Sequence, residues 1–287
     1  MLAVKIQKGK SNQINYMKKA SLLKLGRCFA VLLFILFIHG CDQNNVTLNN
    51  ELSYPTTYKK LDIATLKLMR TEFAKANPYI VSSINDFGFC GFLDSILQAQ
   101  WPARTPDLTR SEAINTAKSF ISQNATWLGV KTSDVFTFSI IDSSTIYEGS
   151  LKWYIAADYQ NYEGLVVYDT YISIDITDGK VTSCSGNWYP YIYIPLKFNI
   201  DDVVKAKAAV LNKIVYLYEI AGRPAPQTIT SKSLETAVFS KMIYPVITKN
   251  QIELHIIWVV NIPDVHYVVY LDVMSGKIIG GYPTLES

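Results

Sequence analysis

Few residues beyond position 40 have the types and spacing that covalent or metal chemistry requires. The histidines there are His255 and His266, both in strand-like segments and neither in a His-Glu-x-x-His pattern, which sets two imidazoles beside a carboxylate that activates water. The sequence has no Gly-x-Ser-x-Gly elbow, no glycine-rich phosphate loop and no Cys-x-x-Cys pair. The adjacent carboxylates Asp201 and Asp202 precede a helical pattern, where they complement the helix dipole. We therefore predict a protein that is not an enzyme, with no catalytic residue, no metal and no cofactor.

Cys41 carries the most specific chemical signal. It directly follows Gly40 and the wholly apolar run Phe29–Ile38, which has a basic flank. The run of about ten residues is shorter than the roughly 20 that a spanning helix needs, so it fits a cleaved signal peptide better than an uncleaved anchor. Cys41 resembles the cysteine of a lipobox, whose thiol receives a diacylglycerol before cleavage, although His39 stands where small residues are typical.

That motif predicts the compartment of the mature chain. We expect residues 1–40 to be a signal peptide, with Met17 as a better start than Met1. Cys41 would then anchor the protein in the bacterial cell envelope, facing outside the cytoplasm. Removing the first 40 residues leaves 20 of the 27 basic residues against 24 acidic ones, a net charge of −4. The expected partner is the membrane, through the lipid anchor, and no basic patch favours nucleic acid.

Cys90 and Cys184 are the other cysteines that remain after the signal peptide. An extracytoplasmic compartment permits a disulfide between them. Two separate buried thiols would leave the same sequence pattern, so both alternatives stay open.

The chain next to the lipid site is divided by composition. Residues 41–60 are polar and rich in asparagine, which predicts a lipidated tether. Residues 61–105 are predicted to be an N-terminal helical and apolar segment. Its first part, from Asp62 to Ala76, has apolar residues at helical spacing and is followed by a proline. The sequence does not decide the structure of residues 78–105.

Two units with the same plan follow, over residues 106–197 and 198–287. Each opens with a helix, predicted by the capping-box pair Thr109 and Glu112 in the first unit and by Asn199 and Asp202 in the second. Each continues with runs rich in Val, Ile, Tyr and Thr. The class is therefore α+β, with one helix packed on an antiparallel sheet in each unit. The strand-like runs are 135–141, 151–158, 165–176, 180–188, 237–246, 252–262, 266–273 and 277–279.

The two units share a signature at their last hairpin. The segment IDITDGKV from Ile174 stands against LDVMSGKI from Leu271, so that Asp, Gly and Lys fall at identical offsets. A glycine in this place supplies the positive φ of a tight hairpin. Trp153 and Trp258 lie in an earlier strand of each unit, as a large anchor on a sheet face would.

Residues from Thr109 to Gly281 resemble a known propeptide region. The segment from Gly164 to Gly186 is similar to the FTP segment in the propeptides of fungalysin- and thermolysin-type metalloproteases. The segment from Trp258 to Lys277 is similar to the PepSY domain that follows FTP there. The resemblance implies a PepSY- or cystatin-like fold and a peptidase as partner. Because the sequence stops six residues beyond Gly281, we expect that peptidase to be encoded separately.

An aromatic strip, Trp188–Pro195, joins the two units. It fits a linking strand whose apolar face seals the two sheets. It also fits a partner surface made of Trp188, Tyr189, Tyr191 and Tyr193, since Tyr and Trp are enriched at interfaces. The general rule that apolar stripes belong to the core favours the first interpretation.

Two functional hypotheses remain. The first is a non-enzymatic cell-envelope lipoprotein with propeptide-like domains that inhibits or chaperones a separate secreted or envelope peptidase. The second is a structural or ligand-binding surface lipoprotein without a peptidase partner. Fold alone does not decide between them.

Overall fold

The computed structural model describes residues 53–76, 80–95, 107–131, 136–145, 151–218 and 224–284. The predicted signal peptide, Cys41 and most of the predicted tether lie outside these ranges. Among the described residues, no helix is both long and apolar enough to cross a membrane. The described residues form a few helices and antiparallel sheets, which confirms the predicted α+β class.

The secondary structure runs as follows in chain order. The helices are α1 (Ile63–Ala76), α2 (Arg110–Gln123), α3 (Ala125–Leu128) and α4 (Val203–Val210), with a 3-10 turn at Pro263–Val265. The strands before α4 are β1 (Thr56–Lys59), β2 (Ile80–Ile84), β3 (Cys90–Ser95), β4 (Ile140–Thr145), β5 (Leu151–Asp158), β6 (Asn161–Tyr162), β7 (Leu165–Val166), β8 (Tyr171–Thr177) and β9 (Lys180–Asn187). The strands after α4 are β10 (Ile214–Tyr218), β11 (Pro224–Thr228), β12 (Val238–Ile247), β13 (Gln251–Ile262), β14 (Tyr267–Asp272) and β15 (Ile278–Pro283).

The first large sheet has six strands in the order β2-β3-β9-β8-β5-β4. Helix α2 supplies four buried side chains to its core and begins where the capping box predicts. The Thr109 hydroxyl accepts from the Glu112 backbone N–H at 3.3 Å, and the Glu112 carboxylate accepts from the Thr109 N–H at 2.8 Å. The Trp153 indole on β5 donates to the Leu108 carbonyl at 3.1 Å, just before this cap. The buried tryptophan thus ties the sheet to the start of its helix.

The second large sheet is built around β13. Strand β12 pairs with one edge of β13, while β1 and then β14 pair in succession with the other edge, and β15 lies beyond β14. Helix α4 starts at Asp202, whose carboxylate accepts from the Lys205 N–H at 2.8 Å. The Trp258 indole on β13 donates to the Ile200 carbonyl at 2.9 Å, two residues before that cap. Asp201 pairs with the Lys205 ammonium at 2.7 Å, so both carboxylates serve the helix start.

The structure departs from the predicted boundaries in several places. The strand predicted at 135–141 begins only at Ile140, as β4. The predicted tether, residues 41–60, contains β1, which joins the second sheet. The segment 61–105 supplies β2 and β3 to the first sheet as well as a helix. The predicted strand 165–176 is divided into β7 and β8, because Asp169 between them takes a positive φ of 56°. The hairpin of β10 and β11 was not predicted.

Candidate functional site

The candidate site lies where β1 and β14 leave a gap on the same edge of β13. Strand β1 pairs with residues 251–254 and β14 with residues 257–262, so positions 255 and 256 lie between the two ladders. The Tyr54 hydroxyl fills this gap: it accepts from the Ile256 N–H at 3.0 Å and lies 3.1 Å from the Ile256 carbonyl. A side chain within the predicted tether therefore completes the hydrogen bonding of the sheet.

His255 lies between two carboxylates beside that gap. Its Nδ1 is 2.8 Å from Asp272 Oδ2, and its Nε2 is 3.1 Å from Glu253 Oε2. The Asp272 side chain is 2% exposed, the His255 side chain 13% and the Glu253 side chain 28%. A ring with a carboxylate at each nitrogen is satisfied as the imidazolium, which has two N–H donors. We call Tyr54, Glu253, His255 and Asp272 the His255 cluster.

Asp272 is the most heavily bonded member of the cluster. Its Oδ2 accepts from His255 and, at 2.5 Å, from the Tyr54 hydroxyl. Its Oδ1 accepts the Met274 N–H at 3.0 Å, the Ser275 N–H at 2.6 Å and the Ser275 hydroxyl at 2.8 Å. Burial alone would raise the pKa of this carboxyl, but these hydrogen bonds outweigh it and hold the pKa well below the usual range. Asp272 is therefore a buried carboxylate anion.

The same contacts shift the neighbouring groups. Burial lowers the pKa of His255, but the hydrogen bonds to Asp272 and Glu253 outweigh it, so that the pKa lies above its ordinary value of 6.5. Burial and the hydrogen bond to Asp272 raise the pKa of Tyr54. Because both imidazole nitrogens are engaged, His255 presents no nitrogen lone pair to a substrate. The arrangement is suited to holding Tyr54 and β1 on the sheet rather than to proton transfer.

Tyrosine rings cross the sheet next to this cluster. The ring centroids are 5.3 Å apart between Tyr168 and Tyr244, 4.6 Å between Tyr244 and Tyr270, and 6.0 Å between Tyr270 and Tyr282. Tyr244 pairs directly with His255, so that these rings and the His255 cluster share one face of the sheet. We call these four residues the tyrosine row.

The tyrosine row is exposed at its ends and buried in its middle. Tyr168 is 42% exposed and Tyr282 48%, whereas Tyr270 is 5% exposed. Burial, more than its tyrosine neighbours, raises the pKa of Tyr270. Trp258 lies on the opposite face, because strand positions of opposite parity point to opposite faces. On that face its indole is bonded to the chain just before α4. The row is therefore on the face that α4 does not cover.

The aromatic strip is a correction to the predicted partner surface. Trp188 is 5% exposed and Tyr189 0%, so neither side chain is available to a partner. Tyr189 is held by Gln160, which donates to its carbonyl at 2.7 Å and accepts its N–H at 3.0 Å. Tyr191 and Tyr193 are half-buried, and their backbone N–H groups donate to Tyr58 and Thr56. The segment is irregular and not the predicted linking strand, because side chains satisfy its backbone groups.

The two cysteines lie on neighbouring strands of the first sheet. Cys184 is buried on β9, and Cys90 is the first residue of β3. The register pairs Cys184 with Leu93, three residues further along β3 than Cys90. The Cys90 side chain lies outside the described part, so the disulfide stays a prediction. The predicted lipidation site, Cys41, also lies outside the described residues.

The sequence did not reveal the His255 cluster. His255 was predicted only to lie in a strand-like segment without a metal-binding pattern, and Tyr54 lay within the predicted tether. The available signal was Asp272 in the shared hairpin signature, since its register with β13 brings it beside His255. In the described part of the chain, no group of three or more His, Cys, Asp and Glu side chains is placed to hold a metal ion.

Comparison with known proteins adds little to this description. No family model matches the chain, and no curated protein matches it. Among solved structures, the chain is similar to the C-terminal domain of Bacillus megaterium YpeB, with 10% sequence identity and a TM-score of 0.29, over 79% of this chain and 100% of that chain. A likeness with so low a TM-score carries no argument. The α+β class therefore rests on the helices and sheets described above.

Proposed function

We propose that this protein is a non-enzymatic lipoprotein of the bacterial cell envelope that binds a separate peptidase, inhibiting it or assisting its folding. The observation that carries the proposal is the tyrosine row, whose end residues, Tyr168 and Tyr282, are exposed on the sheet face opposite α4. Tyrosine supplies large, rigid contact area and is enriched at protein interfaces. The type of partner comes from the resemblance to FTP and PepSY propeptides.

Two matching contacts support the propeptide-like organisation. In residues 106–197, Trp153 donates to the carbonyl next to the cap of α2, and in residues 198–287, Trp258 does the same before α4. Each unit thus joins one helix start to one sheet through a buried indole. This agreement favours two repeated units, one FTP-like and one PepSY-like.

A second candidate function is the binding of a small ligand without any peptidase. A cavity of about 200 Å³ is lined by both apolar and polar side chains, among them Phe136, Asp158, Tyr159 and Trp188. An aromatic wall beside a carboxylate suits a small polar ligand with an apolar face.

The test of the peptidase proposal is an inhibition assay. The purified protein is titrated into a fungalysin- or thermolysin-type metalloprotease secreted by the same organism, and the inhibition constant is measured. Replacing Tyr168 or Tyr282 with Ala should weaken binding by about tenfold each, because truncating an interfacial tyrosine anchor costs roughly 1 to 2 kcal/mol.

Matched controls are Tyr154→Ala and Tyr171→Ala, since both tyrosines are 40% exposed and lie on the first sheet. These variants should inhibit like the unaltered protein. If the metalloprotease is neither bound nor inhibited, the peptidase proposal is wrong and the ligand-binding alternative is favoured. Equal weakening by all four variants would contradict the tyrosine row as the binding surface.

A further inference from the structure

We infer that the exposed side of α1 lies on the anionic lipid surface to which the chain is tethered. This inference rests on the proposed lipid anchor at Cys41. It assigns to the membrane-proximal helix a second contact with lipid, made by side chains instead of the acyl chains.

The first observation is the exposure of large apolar side chains on α1. Ile63 is 85% exposed and Leu68 59%, although the helix already buries Leu66, Met69 and Phe73 in the core. Since α1 has a complete core face without them, Ile63 and Leu68 contribute little to the stability of the folded protein. Apolar side chains on the polar side of a helix are the part that enters the headgroup boundary when a helix lies on a membrane.

The second observation is the charge that surrounds these side chains. Lys67, Arg70 and Lys75 are exposed on α1, together with the half-buried acid Glu72. Asp86 also lines the groove beside Lys67 and Arg70, and it pairs with Lys60 at 2.5 Å, which offsets one positive charge. Residues 53–76 contain five basic and two acidic residues, a net charge of +3, whereas the chain beyond residue 40 carries −4. The helix is thus a local positive surface on an acidic protein, and such a surface complements anionic lipid.

The basic side chains of α1 remain able to contact lipid headgroups. Arg70 donates to the Ile84 carbonyl at 2.9 Å, which leaves other guanidinium N–H groups for a phosphate. Lys67 and Lys75 have long aliphatic stems that can extend along the interface while the ammonium groups meet the headgroups. The acid at the helix start, Asp62, is bonded to Thr65 N–H at 2.9 Å and so is occupied as a cap.

The third observation is the length of chain between the lipid site and the fold. Eleven residues, 42–52, separate Cys41 from residue 53, where the described chain begins. Twelve chain steps span at most about 40 Å when fully extended. Tyr54 and β1 then fix the chain on the sheet directly before α1. The helix is therefore held within reach of the membrane that the acyl chains enter.

The experiment measures contact between α1 and lipid directly. The lipid-modified protein, purified from membranes of the producing cells, is reconstituted in vesicles of phosphatidylglycerol or phosphatidylcholine with brominated acyl chains, which quench tryptophan on contact. Ile63→Trp and Leu68→Trp are compared with Ile247→Trp, a control on β12 that is 64% exposed. The unaltered protein gives the background of the native tryptophans.

We expect the tryptophans at 63 and 68 to add quenching in phosphatidylglycerol and much less in phosphatidylcholine. The tryptophan at 247 should add none. Exchanging Lys67 and Lys75 for Glu should abolish the added quenching while the protein still floats with the vesicles. A protein that floats but shows equal quenching at 63, 68 and 247 overturns the inference alone. A protein that does not float overturns the lipid anchor and the inference with it.

Discussion

The two hairpins that share Asp, Gly and Lys at identical offsets fold differently. In the first, Thr177 pairs with Lys180, and Asp178 and Gly179 between them take positive φ values of 49° and 73°. In the second, the last paired residues are Leu271 and Ile278, and Gly276 takes the positive φ of 66°. Asp enters the left-handed region more readily than Ser, and Ser275 stands where the first hairpin has Asp178. The first turn is therefore tight and the second is longer.

The longer turn changes the environment of the aspartate that both hairpins have at the same position, Asp175 in the first and Asp272 in the second. Asp272 folds back over its own loop and accepts from Met274 and Ser275, which leaves its other oxygen for His255 and Tyr54. Asp175 instead pairs with Lys152 at 3.0 Å, with its side chain 23% exposed. The second hairpin thus places its aspartate in a buried cluster that secures β1, whereas the first places the equivalent aspartate in a partly exposed ion pair.

The largest expected effect comes from removing each aspartate in turn. Asp272→Ala leaves a buried histidine and a buried tyrosine without their acceptor, and it should lower the free energy of unfolding by about 3 kcal/mol. Asp175→Ala removes a partly exposed ion pair and should cost under about 1 kcal/mol. Denaturant unfolding of the two variants measures the difference. Equal losses would mean that the His255 cluster is no more important to stability than a surface pair.

A smaller effect is expected from pH. The pKa of His255 is raised above its ordinary 6.5, so its contribution to stability is complete below that pH and is lost as the pH rises through the folded-state pKa. The pKa of Asp272 is lowered from its ordinary 3.8, so its contribution is complete above that pH and is lost as the pH falls through the folded-state pKa. The cluster should therefore stabilise most between about pH 4 and 6.5.

Unfolding midpoints measured from pH 5 to 9 test this expectation. The unaltered protein should lose stability on the alkaline side, and His255→Gln should flatten that decline. Lys152→Gln, which alters the partner of Asp175, should leave the decline in place. A decline that persists in His255→Gln would assign the pH dependence to another group.

The sequence predicted local features well because their signals are local. The starts of α2 and α4 followed from Thr109, Glu112 and Asp202, whose bonds span three residues. The His255 cluster joins Tyr54 to Asp272 across 218 positions. This contact could not be predicted, because strand alternation gives the face on which a side chain lies but not its neighbour across the sheet. Alternation also could not show that Tyr189 is buried, because its ring packs against Tyr58 and Phe89, which lie 131 and 100 positions earlier in the chain.

The central claim, that the tyrosine row binds a metalloprotease, is tested most directly by photocrosslinking in the producing cells. A photoreactive phenylalanine replaces Tyr282 in one strain and Tyr154 in another, and the two positions are 48% and 40% exposed. We predict a crosslinked product at position 282 that contains a fungalysin- or thermolysin-type metalloprotease, with none at position 154. A peptidase captured at 154 and not at 282, or at neither position, would contradict the claim.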